Sequence, residues 1–277
     1  MIKTKKILIT GATDGIGRVT ARELAARGHH VIIVGRDEAK TRRVAAETRG
    51  KVDWMIADLS RPAQVKTLAQ DFQSRFEHLD VLVNNAGAFF AHHGKTLDGI
   101  EQTFALNHLN YFFLTDLILP LLIASNGGRI VNVASEAHRG CELDFENLNG
   151  ENKYSGWRAY QKSKLANILF TRELSKRLKG TKVTANTLHP GFVASKFGHN
   201  NGGLWGPAVR LTQALFAINE DRGAETSIFL ADHASVANTN GEYFDKCRTR
   251  KPSLAAMNDE AAARLWQVSE EILTRFR

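Results

Sequence analysis

The sequence predicts an α/β fold with a doubly wound parallel sheet, arranged as three layers (α/β/α) in a single domain. Short apolar runs rich in β-branched residues alternate along the chain with longer segments of helical periodicity. The chain has 277 residues, a length that suits one large α/β domain, and it shows no internal repeat and no low-complexity linker. Strands that are apolar on both faces need helices on both sides, so a three-layer arrangement follows.

Six runs are predicted as strands. The first, KKILIT at 5–10, and the second, HVIIVG at 30–35, are rich in isoleucine and valine. The others are KVDWMIADL at 51–59, LDVLVNNAG at 79–87, GGRIVNVAS at 127–135 and TKVTANTLHPG at 181–191. Ligands of such sheets bind beyond the carboxyl ends of the strands, so the residues that follow each strand are the candidates for function.

Helices are predicted between the strands from apolar residues at helical spacing. The segment 16–28 ends in a glycine, and the segment 62–76 begins with a proline, which suits the first turn of a helix. A long and strongly apolar helix is predicted at 99–124. Another begins at Ser155, in the stretch SGWRAYQKSKLANILF.

Charge and composition narrow the function classes. The net charge is +8, but the basic residues are scattered, so we expect a solvated basic surface and no nucleic-acid partner. Cys141 and Cys247 lie far apart, and no histidine or carboxylate spacing suggests a metal, so we expect neither a disulfide nor a metal site. No apolar run approaches the roughly 18 residues of a membrane span, and no secretory signal is recognisable, so we expect a cytoplasmic protein without a membrane anchor.

A glycine-rich turn, TGATDGIG, follows the first predicted strand at 10–17. Glycine allows a tight turn and close approach of a pyrophosphate, and the helix behind it supplies free N–H donors. A lone glycine motif is weak evidence, but this one opens a βαβ unit, which is the context of dinucleotide binding. A connector that binds nothing is the alternative. The candidate cofactor residues in this turn are Gly11, Thr13, Asp14, Gly15, Ile16 and Gly17.

The cofactor preference depends on the end of the second strand, where NAD-binding sheets carry an acidic residue that binds the ribose hydroxyls. Here Gly35 occupies the tip and Arg36 follows it, and a guanidinium suits the 2′-phosphate of NADP. We therefore expect NADP(H). NAD remains an option, because Asp37 is adjacent and a shift of one residue would reverse the preference, and a solvated Arg36 is also open. Asp14 adds a negative charge near the phosphates.

Several short motifs follow one another along the chain. They are TGATDGIG, ADLS with Asp58, NNAG at 84–87, LNHL with Asn107, NVAS with Ser135, YQKSK with Tyr160 and Lys164, and HPG at 189–191. Taken in this order, the motifs resemble those of the short-chain dehydrogenase/reductase family. The stretch around Tyr160, and its separation of 25 residues from Ser135, are similar to the branch that contains retinol dehydrogenases and their bacterial relatives. The resemblance covers nearly the whole chain and implies one Rossmann domain over 1–277, with NADP(H) preferred in that branch.

The resemblance also implies roles around the cofactor. Asp58 would bond near the adenine and Leu59 would pack on it, while Ser195 is the nearest candidate for a hydroxyl that touches the carboxamide. The residues implied on the adenosine side are Asp58, Leu59, Asn85, Ala86 and Gly87. Those implied at the nicotinamide or its ribose are Tyr160, Lys164, Pro190, Gly191 and Val193.

Reduction of a carbonyl needs a proton donor and a partner for the developing oxyanion. Tyr160 can donate or accept the proton, and a nearby ammonium would lower its pKa from the usual value of about 10. In a helix, the residue at position i+4 returns to the same face, whereas the residue at i+2 points away from it. Lys164 can therefore lie on the same helix face as Tyr160, and Lys162 cannot. Ser135 can donate to the substrate oxygen. By resemblance Asn107 would hold a water that links Lys164 to solvent, and local satisfaction within its helix is the alternative.

Residues 192–222 fit a regular βα unit poorly and contain several glycines and large apolar residues. We expect a substrate lid there, and a small satellite core is the alternative. Its expected lining is Phe197, Leu204 and Trp205. His189 precedes a Pro-Gly pair at a strand end and is expected to be structural.

The leading hypothesis is an NADP(H)-dependent oxidoreductase of alcohol and carbonyl groups of a hydrophobic small molecule. A non-catalytic NAD(P) sensor on the same fold is the alternative, although it would not need Ser135, Tyr160 and Lys164 together. In the family the helices at 99–124 and 156–179 often form subunit contacts, so a homodimer or homotetramer is open. Burial of the same helices within one subunit is equally open.

Overall fold

The structure is a computed structural model that describes residues 4–191 and 220–277. Its strands are β1 (Lys6–Thr10), β2 (His30–Gly35), β3 (Lys51–Ile56), β4 (Val81–Asn84), β5 (Arg129–Val133), β6 (Thr184–Leu188), β7 (Tyr243–Asp245) and β8 (Arg248–Thr249). Its longer helices are α1 (Gly15–Ala26), α2 (Glu38–Glu47), α3 (Pro62–Arg75), α4 (Gln102–Ala124), α5 (Gly156–Arg177), α6 (Glu220–Asp232) and α7 (Asp259–Leu273).

The strands form one sheet in the order β3-β2-β1-β4-β5-β6-β7-β8. Neighbouring strands are parallel, except that β8 runs antiparallel to β7. The chain runs from β1 towards β3 on one side and from β4 towards β8 on the other, so its winding reverses between β1 and β4. The predicted doubly wound sheet is confirmed, and a ligand crevice is expected beyond the carboxyl ends of these two strands.

Alternate side chains of the central strands face opposite helical layers. In β1, Leu8 packs in a cluster with α3, α4, α5 and α7, whereas Ile7 and Ile9 pack in a second cluster with α1 and α6. All three side chains are fully buried. A strand that is buried on both faces requires helices on both sides. The predicted three-layer arrangement is therefore confirmed.

The predicted strands are in the right places but extend too far at their carboxyl ends. Strand β3 ends at Ile56, β4 at Asn84, β5 at Val133 and β6 at Leu188. Beyond these points the motifs are rich in asparagine, serine and glycine, which favour turns over strand. The candidate site residues therefore lie in the loops that follow the strands.

Five elements, α2, α6, α7, β7 and β8, were not assigned from the sequence. The mixed-charge cluster at 36–43 contains the first turns of α2. The predicted lid extends too far, because residues 220–222 begin α6. The rest of that segment lies outside the described residues, and so do five residues to which roles were given: Val193, Ser195, Phe197, Leu204 and Trp205.

Helix α4 is interrupted near its start by a π-helical turn, Ala105–Leu109. Contrary to the expectation from the sequence, α4 has the length and composition of a membrane span. Most of the apolar stretch of this helix is nevertheless buried in the protein, and Phe112, Phe113 and Leu114 lie in the core. Such burial is typical of the core helix of a globular protein.

Helix α7 packs across α5 and α4. The ring of Trp266 stacks on Phe170 with centroids 5.8 Å apart and meets Phe112 edge-on at 4.7 Å. The guanidinium of Arg177 lies 4.2 Å from the centre of the Trp266 ring. Helices α4 and α5, for which the sequence leaves subunit contacts open, are thus partly buried within one chain.

Candidate active site

Ser135 and Tyr160 meet at the carboxyl end of β5. Ser135 follows that strand directly and caps the 3-10 turn Glu136–His138, in which its Oγ accepts from the Ala137 N–H at 3.2 Å. Tyr160 lies in the second turn of α5, is buried, and is hydrogen-bonded to Ser135. Gln161 ties the two elements together, since its Nε2 donates to the Ala137 carbonyl at 3.2 Å. The phenol and the serine hydroxyl can therefore address one substrate oxygen.

Lys164 lies one helical turn after Tyr160 on the same buried face of α5. Its Nζ is 5.8 Å from the centre of the Tyr160 ring and donates to the Val133 carbonyl at 3.1 Å. Lys162 points elsewhere: its side chain is 25% exposed and lies 3.9 Å from Asp144. The helix geometry thus brings together the pair that the i+4 spacing selected and leaves the intervening lysine at the surface.

Burial controls the electrostatics of this pair. It raises the pKa of Tyr160 to about 12, and the hydrogen bond from Ser135 opposes that rise. It lowers the pKa of Lys164 to about 8. The sequence predicts that an adjacent ammonium lowers the phenol pKa, whereas in the structure desolvation of the phenolate raises it. Tyr160 is protonated at neutral pH and is suited to donate a proton.

Asn107 lies in the π-helical turn of α4, and its amide is not satisfied within its own helix. Its Oδ1 accepts from the Ala88 N–H at 2.9 Å, and its Nδ2 donates to the Ala88 carbonyl at 2.9 Å and to Ser163 Oγ at 3.0 Å. This pair of bonds fixes the loop after β4 against α4. A Cβ on Gly87 would lie 3.2 Å from Asn107 Oδ1 and 3.3 Å from Lys164 Nζ. Asn107, Gly87 and Lys164 therefore lie together, as the motifs predict.

The glycine turn lies where the winding of the sheet reverses. A Cβ on Gly11, which has φ +64°, would come within 2.8 Å of Ala86 Cα. A Cβ on Gly17 would come within 2.4 Å of Asn85 Nδ2. Only glycine allows this close contact between the turn and the loop after β4. The turn leads straight into α1, whose N-terminal N–H groups can receive a pyrophosphate.

Asn85 supports this turn from the neighbouring loop. Its Nδ2 donates to the carbonyls of Thr10 at 2.8 Å and Gly11 at 3.2 Å. The Thr10 hydroxyl in turn accepts from the backbone N–H groups of Asn85 and Ala86, at 2.9 and 3.1 Å. The amide of Asn85 is thus committed to the protein, where it holds the glycine turn against the loop after β4.

The end of β2 has no room for an acidic side chain. A Cβ on Gly35 would lie 2.2 Å from Thr41 Oγ1 and 2.5 Å from Thr13 Cγ2. The adjacent Asp37 caps α2, with its Oδ1 accepting from the Lys40 N–H at 2.8 Å. The carboxylate of Asp37 is thus occupied, while the side chain of Arg36 is exposed.

Asp14 of the glycine turn is neutralised by a lysine of α2. Lys40 Nζ lies 2.7 Å from Asp14 Oδ2. This ion pair joins the turn to the first helical turn after Arg36. The ion pair offsets the negative charge of Asp14, which is expected near the phosphates of the cofactor. Sequence spacing does not predict this pair, because the two residues are 26 positions apart.

Two of the residues expected on the adenosine side, Asp58 and Leu59, lie beyond β3. Asp58 Oδ1 accepts from the N–H and the hydroxyl of Ser60, at 3.0 and 2.7 Å, which holds the carboxylate in place. Leu59 is buried in the core cluster. Two of the residues expected at the nicotinamide, Pro190 and Gly191, follow β6. Gly191 has φ +79°, a conformation that favours glycine.

Two aromatic residues border Tyr160 that the sequence interpretation did not single out. Trp157 is 53% exposed, and its ring stacks on that of Tyr160 with centroids 6.0 Å apart and 29° between planes. Phe89 is buried and meets Tyr160 edge-on at 6.2 Å. The position of Trp157, three residues before Tyr160 in one helix, is a signal that could have identified it.

Residues 5–202 match the model of the short chain dehydrogenase family. Retinol dehydrogenase 14 of Mus musculus is 40% identical over 283 residues, which cover 96% of this chain and 85% of that protein. The chain belongs to the short-chain dehydrogenase family. Retinol dehydrogenase 12 of Homo sapiens, another relative of this short-chain dehydrogenase, is 40% identical over 97% of this chain and 86% of its own length.

Solved short-chain dehydrogenase structures agree with this assignment. An uncharacterized protein from Mycobacterium paratuberculosis is 33% identical, with a TM-score of 0.79 over 98% of this chain and 93% of that one. A short chain dehydrogenase from Burkholderia cenocepacia, crystallised in complex with NADP, is 28% identical, with a TM-score of 0.70 over 87% of this chain and 95% of that one. This short-chain dehydrogenase is thus an oxidoreductase of alcohol and carbonyl groups that binds NAD(P).

Proposed function

We propose that this enzyme reduces the carbonyl groups, and oxidises the alcohols, of apolar small molecules with NADP(H), and that Tyr160 is its general acid/base. The observation that carries the proposal is the convergence of Ser135, Tyr160 and Lys164 at the end of β5, beside the glycine turn. A non-catalytic sensor would need the crevice but not a buried phenol bonded to a serine and flanked by a buried lysine.

The residues of the crevice fit a dinucleotide with a 2′-phosphate. The glycines allow a pyrophosphate to reach the N-terminus of α1. Gly35 leaves no space for an acidic side chain, and the Asp37 carboxylate already caps α2. Arg36 would therefore hold the 2′-phosphate through charge-assisted hydrogen bonds. The B. cenocepacia relative, crystallised with NADP, is consistent with this preference.

When bound, the nicotinamide supplies or accepts the hydride. In reduction, Tyr160 donates its phenolic proton to the carbonyl oxygen while negative charge develops there, and Ser135 donates a hydrogen bond to the same oxygen. Lys164 can release and regain a proton near neutrality, because burial lowers its pKa to about 8. Asn107 holds the Ala88 loop beside this lysine, and we propose that a water near it completes a proton path to solvent.

An apolar substrate is favoured by the surroundings of Tyr160. Trp157 presents a half-exposed indole next to the phenol, and Phe89 presents an apolar edge. Such rings bind hydrophobic or conjugated groups and offer few partners to a polyol. The two relatives named above are retinol dehydrogenases, which is consistent with a long apolar alcohol or aldehyde.

The test is cofactor oxidation with a panel of carbonyl compounds. Retinal, long-chain aldehydes and aromatic ketones are compared with open-chain sugars, each with NADPH and NADH in parallel. The proposal expects turnover of the apolar compounds with a clear preference for NADPH. Turnover of none of the carbonyl compounds, or faster turnover with NADH, would contradict it.

A further inference from the structure

Two buried histidines contact the ring of Tyr243 next to the candidate active site. His138 meets the Tyr243 ring edge-on at 5.2 Å, and His189 stacks on it at 5.7 Å. His138 ends the turn that begins at Ser135, and His189 begins the loop that contains Pro190 and Gly191. Neither histidine takes part in the reaction proposed above, so their hydrogen bonds call for another explanation.

His138 holds the catalytic serine through its backbone. Its Nδ1 lies 2.7 Å from the Ser135 carbonyl, and its Nε2 accepts from the Ser253 N–H at 3.1 Å. A ring nitrogen that accepts carries no proton, so the proton is on Nδ1 and is donated to Ser135. The ring is fully buried, and burial lowers its pKa, which favours the neutral form. His138 thereby links Ser135, whose hydroxyl contacts Tyr160, to the segment after β8.

His189 holds the cofactor loop with the opposite tautomer. Its Nδ1 accepts from the Gly191 N–H at 3.2 Å, which leaves the proton on Nε2. Nε2 lies 3.1 Å from Asp245 Oδ1 and 3.5 Å from Glu136 Oε2, off the line of a well-aligned hydrogen bond. The bond from Gly191 is the contact that restrains the loop, and protonation of Nδ1 would break it.

Glu136 joins the two halves of this arrangement. Its carboxylate accepts from the Tyr243 hydroxyl at 3.0 Å and from Arg139 Nε at 2.5 Å. Glu136 is the first residue of the serine turn, and its Oε2 lies 3.5 Å from His189 Nε2. The ring of Tyr243 therefore contacts both histidines, and its hydroxyl is bonded to the serine turn through Glu136.

We propose that His138 and His189 are positioning residues, which act as neutral rings in opposite tautomers to hold the Ser135 turn and the Gly191 loop in their reactive arrangement. The inference rests on the proposed function, because it assigns both residues to the Tyr160 reaction. The groups that face the rings are Glu136, Arg139, Tyr243, Asp245 and Arg250. Burial lowers the pKa of both histidines and keeps them neutral. Acid that protonates either ring would lower activity as its backbone bond is lost.

The chain contains a matched control. His29 is also buried, accepts from the Lys5 N–H at 3.2 Å through Nδ1, and faces Asp232 at 2.9 Å through Nε2. It repeats the bonding of His189 at the opposite, amino-terminal edge of the sheet, where β2 begins. A purely structural role predicts that His29→Leu and His189→Leu have the same effect on stability and none on the kinetic constants.

The experiment compares NADPH-dependent reduction of an apolar aldehyde by the full chain and its variants. His138→Leu should lower kcat about 10- to 100-fold with little change in the KM for NADPH, because the serine is displaced. His189→Leu should instead raise the KM for NADPH, because the loop is released. His138→Asn and His189→Asn, which can keep the donor and the acceptor respectively, should restore most of the loss, and His29→Leu should leave kcat and KM unchanged.

Ring nitrogen chemical shifts of the wild-type enzyme provide a readout that is independent of activity. We expect the Nδ1–H tautomer for His138 and the Nε2–H tautomer for His189. Two identical tautomers, a cationic ring at neutral pH, or unchanged kinetic constants in both leucine variants would overturn the proposal. Failure of the proposed function would show separately, as full turnover by Tyr160→Phe.

Discussion

The ammonium of Lys164 donates to the carbonyl of Val133 at 3.1 Å, two residues before Ser135. This bond joins α5 to the end of β5 and fixes the lysine near the face of Tyr160. Gly87 closes the other side, where no Cβ could be added without tight contact with Nζ. The position of Lys164 beside Tyr160 is therefore fixed by its surroundings as well as by its spacing from the tyrosine.

Replacement of each lysine in turn should distinguish the role of Lys164 from that of Lys162. Lys164→Met should lower kcat for aldehyde reduction by about 100-fold or more, because the proton supply and the ribose contact proposed for it are lost. Lys162→Met, at a partly exposed position, is the control and should stay close to wild type. Steady-state NADPH oxidation measures both, and similar losses in the two variants would refute the assignment.

The cofactor preference should depend on Arg36 and not on Asp37. Arg36→Ala should lower kcat/KM for NADPH about tenfold or more and leave that for NADH nearly unchanged, because one charge-assisted partner of the 2′-phosphate is removed. Asp37→Ala should cost about 1 kcal/mol of stability through loss of the α2 cap, with the NADPH-to-NADH ratio unchanged. A ratio that changes in the aspartate variant and not in the arginine variant would reverse the assignment.

The two directions of the reaction should respond differently to pH. Burial raises the pKa of Tyr160 to about 12, so the phenol that reduction requires is present at neutral pH. Oxidation requires the phenolate, whose fraction grows as pH rises towards that pKa. Alcohol oxidation should therefore accelerate between about pH 7 and 10, while aldehyde reduction stays nearly flat around neutrality. Parallel profiles of kcat in both directions test this, and an oxidation rate that is independent of pH would contradict it.

Trp157 should discriminate between substrates. Trp157→Ala removes an apolar surface that stacks on Tyr160, so the KM for a long-chain aldehyde should rise several-fold. A short, polar aldehyde should be affected much less, since burial of apolar area is worth about 25 cal/mol per Å². Leu97→Ala, at an exposed position in the loop before α4, is the control. Equal effects on both aldehydes would argue against a substrate contact.

Stability in acid should depend on Asp232, at the end of the sheet away from the active site. Lys5, His29 and Arg27 surround its carboxylate, and the cations lower its pKa to about 2 although partial burial opposes this. Because the folded-state pKa lies below the unfolded value, the stabilisation is present above about pH 4 and is lost as pH falls towards 2.

Chemical denaturation of Asp232→Asn measures this contribution. At neutral pH the variant should unfold with about 1–2 kcal/mol less free energy than the wild type. The difference should shrink as both proteins are titrated towards pH 2. A difference that stays constant across this range would show that the effect is not electrostatic.

The central fold and the proximity of Lys164 to Tyr160 could be predicted because their signals are local. Apolar runs such as HVIIVG define buried strands, and four-residue spacing alone places Lys164 with Tyr160. The amphipathic pattern of α7, with its Asn258 cap and acidic first turn, is a local signal of the same kind and would also have predicted this helix. Strand β7 is different, because three residues are too few to show a period.

Contacts between distant residues could not be predicted in the same way. The Lys40–Asp14 ion pair and the bond of His138 to Ser253 join segments that only the folded sheet brings together. The presence of a lysine predicts a lowered pKa for Tyr160, whereas burial raises that pKa to about 12. Burial depends on packing from several elements, which no single motif contains.

The central claim is that Tyr160 transfers the proton in this reaction, and a single-turnover measurement with Tyr160→Phe tests it most directly. The variant keeps the ring contacts with Trp157 and Phe89 and removes only the hydroxyl that is bonded to Ser135. We predict that it binds NADPH with unchanged affinity and that reduction of an apolar aldehyde slows by about 100-fold or more. Reduction at the wild-type rate by a variant that binds NADPH normally would contradict the account.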